Sequence, residues 1–162
     1  MDNIRQIGSS DIRRVLSYKE LLPAIQSTLA AFSRGPSSPV GAVQPLRSRI
    51  NVDDQNGQLI VMPGYLPGQK ALATKILTLF PGNVEKGLSS HNAIVVLMCS
   101  ETGQMQALLD GQSITELRTA ASSGIASKFL APPNVTKVAV LGAGTQGASH
   151  ARVHHFLFKP EK

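Results

Sequence analysis

Apolar residues recur along the chain at two spacings, one typical of helices and one typical of strands. Between residues 22 and 32 the intervals are three and four, which predicts an amphipathic helix. Its apolar residues are Leu22, Ile25, Leu29 and Phe32. We expect Pro23 in the first turn, where a missing N–H is tolerated, and Gly35-Pro36 at the end. A shorter helix, capped by Ser10-Asp11, is predicted from Ile12 to Leu16.

From residue 43 onward the spacing changes to two, which indicates β-strands. The predicted strands cover residues 43–52, 58–62, 71–80, 91–99 and 105–109. Polar and glycine residues at 53–57 and 101–103 supply turns, so neighbouring strands are expected to form hairpins. Two helices followed by at least five such strands predict an α+β sheet layer.

The last fifty residues predict a different arrangement. A helix capped by Ser113 or Thr115 is expected to carry Glu116 in its first turn and to stop at Pro132-Pro133. Val135 to Leu141 is a short apolar run of the kind buried in parallel sheets. A glycine-rich turn follows it, and then a predicted helix over 148–158.

The turn carries glycines at 142, 144 and 147, the spacing of the dinucleotide-binding fingerprint. Gly142 permits the tight turn, Gly144 lets the backbone approach a pyrophosphate, and Gly147 lets the helix lie close to the strand. A glycine-rich turn without a ligand is the alternative. The residue that reads the cofactor ribose would lie about 20 positions further on, beyond residue 162. We therefore expect an incomplete dinucleotide-binding domain.

Composition narrows the class of partner. The formal net charge is +6, but the basic residues are scattered and no aromatic residues alternate with them, which argues against nucleic acid. Small anions such as phosphates and carboxylates are the better expectation. Cys99, the single cysteine, excludes an internal disulfide, fits a small core residue and favours a cytoplasmic protein. We expect no signal peptide, no membrane span and no metal site.

Several separate motifs occur in an order that resembles the ornithine cyclodeaminase/mu-crystallin family, from about residue 9 to 158. They are Gln44-Pro45-Leu46-Arg47, Val61-Met62-Pro63-Gly64-Tyr65, Ala73-Thr74-Lys75, Ser90-His91-Asn92-Ala93, Leu109-Asp110-Gly111, Ile114-Thr115-Glu116-Leu117-Arg118-Thr119-Ala120-Ala121 and Val140-Leu141-Gly142-Ala143-Gly144-Thr145-Gln146. The resemblance implies an α/β protein with a substrate-binding and dimerisation domain, here residues 1–133, and the start of a Rossmann domain, here residues 134–162.

The resemblance also assigns roles to residues. It implies that Arg47 and Arg118 hold a substrate carboxylate, that Lys75 lies at the substrate, and that Arg118 and Thr119 lie near the cofactor phosphates. The turn residues expected to contact the cofactor are Gly142, Ala143, Gly144, Thr145, Gln146 and Gly147.

The residues themselves leave alternatives open. Arg47 fits a solvated charged face as well as a carboxylate ligand. Lys75 fits a proton donor with a lowered pKa or a strand-edge lysine that blocks aggregation. His91 fits a ligand of substrate or phosphate, or a structural histidine. Asp110 is expected to be a turn residue.

The function implied by the resemblance is reduction of cyclic ketimine carboxylates with NADPH or NADH. Ornithine-type cyclodeamination of an amino acid and binding of a thyroid hormone (iodothyronine) are the alternatives. The resemblance further implies a homodimer. Since the adenosine-binding half of the Rossmann domain would follow residue 162, we expect the 162 residues alone to lack reductase activity.

Overall fold

The computed structural model describes residues 4–159 as an α/β fold built on one six-stranded sheet. The helices are α1 (Ser9–Val15), α2 (Tyr18–Ser33), α3 (Gly111–Leu130) and α4 (Thr145–Phe158). The strands are β1 (Arg5–Ile7), β2 (Ser48–Val52), β3 (Gly57–Leu66), β4 (Ala71–Leu79), β5 (His91–Cys99) and β6 (Met105–Asp110). Short 3-10 turns lie at 53–55, 67–69 and 81–86.

The sheet has the order β1-β6-β5-β4-β3-β2. Strands β2 to β6 form the antiparallel hairpins that the sequence predicts, and β5 has the predicted bounds. The added edge strand β1, which pairs in parallel with β6, was not predicted. The strand expected from residue 43 begins only at Ser48, because Val43 forms an isolated bridge to Tyr65 instead. Strand β3 continues to Leu66.

The two faces of the sheet differ in what covers them. Lys75 of β4 lies opposite Met62 and Val95, and its ammonium contacts Thr115 of α3, so this row faces the helices. The row beside it, Val61, Ile76 and Ile94, faces the other way. Ile94 on that face is 38% exposed. The helical face thus carries the polar chemistry, and the opposite face is apolar and open.

Three helix predictions were wrong in detail. Helix α1 starts at Ser9 with Gly8 as its N-cap, not after a cap by Ser10-Asp11. Pro23 lies in the second turn of α2, not the first, because the helix starts at Tyr18 after a capping box formed by Ser17 and Glu20. Neither Ser113 nor Thr115 caps α3. Asp110 does so, since its carboxylate accepts a hydrogen bond from the Ser113 amide at 2.8 Å. Glu116 consequently lies in the second turn of α3 and is buried.

Helix α4 packs closely on α3. Ala120 and Ala121 of α3 and Val153 of α4 have no exposed surface. A Cβ added at Gly124 would meet the Val153 side chain at 2.9 Å, so the small residue allows the close approach. The predicted helix over 148–158 begins three residues earlier, at Thr145.

The predicted strand over 135–141 was wrong for the described part of the chain. These residues belong to no strand, because none of residues 4–159 pairs with them. Val138 is 37% exposed and Leu141 is 95% exposed. No helix among residues 4–159 is long and apolar enough to cross a membrane.

Candidate active site

A cluster of cations occupies the helical face of the sheet around Lys75. Its Nζ donates a hydrogen bond to Thr115 Oγ1 at 3.3 Å, which links β4 to α3. Arg118 lies one helical turn beyond Thr115 and therefore on the same side of α3. Arg47 lies one residue before β2, where the register of β2 with β3 continues toward Met62, the neighbour of Lys75.

The pKa values of Lys75 and Arg118 reflect how close these cations lie to one another and to Arg47. Burial, followed by the charges of Arg118 and Arg47, lowers the pKa of Lys75. Arg118 is part of the exposed surface of α3, yet partial burial of its guanidinium and then the charge of Arg47 lower its pKa. The charged neighbours that shift these two pKa values are all cations. Like charges held together are favourable only when an anion joins them, so the cluster is suited to a carboxylate.

His91 lies at the edge of this cluster, at the start of β5. Burial and then the charge of Lys75 lower the pKa of His91, which favours the neutral imidazole. Its backbone carbonyl accepts hydrogen bonds from the Ser89 hydroxyl at 2.7 Å and from the Gln112 amide. The backbone of His91 is thereby fixed beside the start of α3.

The glycine-rich turn has the backbone geometry that the sequence predicts. Gly142 has φ +107°, a region that side chains rarely occupy. A Cβ at Gly147 would overlap the carbonyl oxygen of Gly142, so the turn and the helix are in backbone contact. Gly144 is the N-cap of α4, and a Cβ there would meet nothing within 4 Å. The first N–H groups of a helix have no partner within the helix, so the start of α4 beside this open space could hold an anion.

One cleft of about 530 Å³ lies between the end of the glycine-rich turn and residues that neighbour the cation cluster. Thr145 and Gln146 line it from α4, and His91 and Thr115 line it from the sheet and α3. The structure thus brings two of the predicted turn residues together with His91 and with the partner of Lys75. Arg47, Lys75, Arg118 and Thr119 do not line this cleft. Thr119 donates its hydroxyl to the Thr115 carbonyl at 2.6 Å.

Sequence reasoning missed three residues at this place. Thr115 was considered only as a helix cap, although it holds Lys75. Arg13 of α1, to which the sequence assigned no role, pairs with Glu116 at 2.6 Å and lines the cleft. The burial of Glu116 could have been suspected from the sequence, because it is an acidic residue in a helix whose other residues are mostly apolar or small. Among residues 4–159 no group of three or more His, Cys, Asp or Glu side chains is placed to hold a metal.

Comparison with known proteins agrees with this fold. The model of the ornithine cyclodeaminase/mu-crystallin family matches residues 6–159. The chain therefore belongs to the ornithine cyclodeaminase/mu-crystallin family. Ketimine reductase mu-crystallin of Rattus norvegicus is 41% identical over 141 residues, which are 86% of this chain and 44% of that protein.

Two solved structures have the same fold. Thermococcus litoralis Delta(1)-pyrroline-2-carboxylate reductase, in complex with NADH and L-proline, has a TM-score of 0.88 and 33% identity and covers 98% of this chain and 47% of its own. An archaeal alanine dehydrogenase dimer with bound NAD has a TM-score of 0.86 and 27% identity over 97% of this chain and 46% of its own. The chain thus spans about half the length of the relatives that it matches.

Proposed function

We propose that this chain provides the carboxylate site and the phosphate-binding turn of a reductase that converts cyclic ketimine carboxylates to cyclic amino acids with NADPH or NADH. The observation that carries the proposal is the cation cluster of Arg47, Lys75 and Arg118, linked through Thr115 to the cleft that contains the glycine-rich turn. A site with three cations and a dinucleotide turn suits an anionic substrate and a nicotinamide cofactor.

The two arginines are the carboxylate ligands. A guanidinium presents paired N–H groups that match the two oxygens of a carboxylate, and α3 and the start of β2 hold the two groups on different elements. A carboxylate bound by both is fixed in orientation as well as position. The remaining ring of the substrate then lies toward Lys75.

Lys75 is the proton donor to the imine nitrogen. Its lowered pKa makes the ammonium a stronger acid than an ordinary lysine. The hydrogen bond to Thr115 limits the directions in which Nζ can point. Bringing a carboxylate to the cluster would partly restore the pKa of Lys75, so the ammonium stays protonated when the substrate is in place.

The glycine-rich turn fits the phosphates of a dinucleotide cofactor. The open space at Gly144 and the first N–H groups of α4 would hold the pyrophosphate of such a cofactor without displacing a side chain. A bound reduced nicotinamide supplies hydride to the imine carbon. Thr145 and Gln146 line the cleft between the turn and His91, and they orient the polar groups of the cofactor there.

A second copy of the chain is proposed to cover the open face of the sheet. The row formed by Val61, Ile76 and Ile94 is apolar, and Ile50 on the same face of the sheet is 61% exposed. Burial of such a face in a symmetric dimer removes apolar surface from water. The related archaeal alanine dehydrogenase is described as a dimer.

A binding experiment tests the carboxylate site on residues 1–162. Pyrrole-2-carboxylate, a stable planar analogue of a cyclic imine carboxylate, is titrated by calorimetry into the parent chain and into Arg118→Lys. Because an ammonium lacks the fork, we expect about a ten-fold loss of affinity. Arg34→Lys, an exposed residue at the end of α2, is the matched control. Equal affinities of Arg118→Lys and the parent would contradict the proposed site.

A further inference from the structure

Glu116 is a buried carboxylate at the junction of three helices. It is 6% exposed and lies on α3 between Thr115, which holds Lys75, and Arg118. Oε2 accepts a hydrogen bond from Arg13 Nη2 of α1 at 2.6 Å, and Oε1 accepts one from Arg152 Nη1 of α4 at 3.4 Å. One acid therefore joins α1 and α4 to the helix that carries the carboxylate site.

The backbone at the same position reinforces the connection to α4. The carbonyl of Glu116 accepts a hydrogen bond from the Ser149 hydroxyl at 3.3 Å, and Ser149 has no exposed surface. The Ser149 carbonyl in turn accepts one from the Tyr18 hydroxyl at 3.4 Å. Side chain and main chain of Glu116 thus contact successive turns of α4.

These polar contacts differ in kind from the apolar packing of α4. Val153 packs against Gly124 and holds α4 close to α3, but apolar contacts do not fix how far one helix slides along another. Hydrogen bonds depend on direction as well as distance, so Arg152 and Ser149 fix the position of α4 along its axis. The first turn of α4 carries Thr145 and Gln146, which share a cleft with Arg13 and Glu116.

We propose that Glu116 is a positioning residue, which holds the start of α4 and the glycine-rich turn in place beside the carboxylate site through its contact with Arg152. The inference rests on the proposed function in one respect, that the turn binds phosphate. Without the carboxylate charge, α4 keeps its apolar packing but its N–H groups are no longer fixed relative to a ligand in the cleft. The carboxylate ligands Arg47 and Arg118 do not depend on this contact.

The test compares two probes on the whole chain. Inorganic pyrophosphate is titrated and followed by phosphorus NMR, and pyrrole-2-carboxylate is titrated by calorimetry. We expect Glu116→Gln to weaken pyrophosphate binding by about five-fold or more, because preorganisation is lost, and to leave pyrrole-2-carboxylate binding unchanged. A role in stability alone would not separate the two ligands.

Further variants examine the route through the arginine. Arg152→Gln should reproduce the loss, and Glu116→Gln combined with Arg152→Gln should be no worse than Glu116→Gln alone, since the charge of Glu116 that Arg152 contacts is already gone. Arg14→Gln, which breaks an exposed pair with Asp11, is the control for the loss of a charge and should leave the affinities for both probes unchanged.

Three results would overturn the inference. They are unchanged pyrophosphate affinity in Glu116→Gln, an equal loss for both probes, and no saturable pyrophosphate binding by the parent chain. The third result would also contradict the phosphate-binding part of the proposed function, whereas the first two would leave that part intact. Failure of the carboxylate site differs again, because pyrrole-2-carboxylate would then fail to bind the parent chain while pyrophosphate still bound.

Discussion

Replacing Arg13 by glutamine should destabilise the chain far more than the same replacement at its neighbour Arg14. Both residues lie in the last turn of α1, and each pairs with an acid at 2.6 or 2.7 Å. The acid that Arg13 neutralises is Glu116, whose side chain is 7% exposed, whereas Asp11 beside Arg14 is 45% exposed. The two variants therefore compare a buried and an exposed ion pair in one helix.

The expected magnitudes follow from burial. Removing one partner of a fully buried pair costs about 3–5 kcal/mol. Arg13 is itself 45% exposed and Arg152 remains near Glu116, so we expect a loss of about 2 kcal/mol in the free energy of unfolding. In a chain of this size that is roughly a 4–8 °C fall in Tm. The exposed pair of Arg14 should contribute about 0.5 kcal/mol or less.

Urea unfolding followed by circular dichroism measures both variants, with equal m-values as the check that the unfolded states match. Salt separates the pairs further, because screening weakens an exposed pair more than a buried one. Losses of similar size for Arg13→Gln and Arg14→Gln would refute the view that Glu116 is a buried charge that requires its arginines.

Three other predictions concern the ligands. Gly144→Val should abolish pyrophosphate binding, measured by phosphorus NMR, and leave Tm nearly unchanged, since the added side chain enters open space. Retained affinity would show that the turn is not the phosphate site. Affinity for pyrrole-2-carboxylate should fall as the pH rises through the pKa of Lys75, which lies below the usual 10.5, because only the ammonium attracts the anion. Lys75→Met should lose that pH dependence. Residues 1–162 alone should not oxidise NADPH with a cyclic ketimine carboxylate. Hydride transfer requires a nicotinamide held about 3–3.5 Å from the imine carbon, and residues 135–141 have no sheet partner in the described chain. Turnover by a pure sample would contradict this expectation.

The sequence predicted local structure best where the signal was local. Strand β5 was predicted with correct bounds because a continuous β-branched run lies between polar turns. The conformation of Gly142 followed from the fingerprint itself. Edge strand β1 was missed because three residues carry no periodicity, and its structure depends on pairing with β6.

The site was only partly predictable for a similar reason. The motifs indicated Arg47, Lys75, Arg118 and His91. In the structure the charges of Arg118 and Arg47 lower the pKa of Lys75, and the charge of Lys75 lowers the pKa of His91. The contact between Arg13 and Glu116 joins residues 103 positions apart, and no local pattern encodes it. The predicted division at residue 133 and the roles assigned to individual site residues stay predictions.

The most direct test of the account is whether the cation cluster recognises the charge of its ligand. Pyrrole-2-carboxylate and pyrrole-2-carboxamide have nearly the same shape and differ in charge. The difference between their affinities for residues 1–162 therefore measures the contribution of the negative charge to binding. With Arg47, Lys75 and Arg118 around the ligand, we expect the carboxylate to bind at least about ten-fold more tightly than the amide. We also expect Lys75→Met to reduce that difference. Equal affinities of the two ligands would contradict the central claim that this face of the sheet binds a substrate carboxylate.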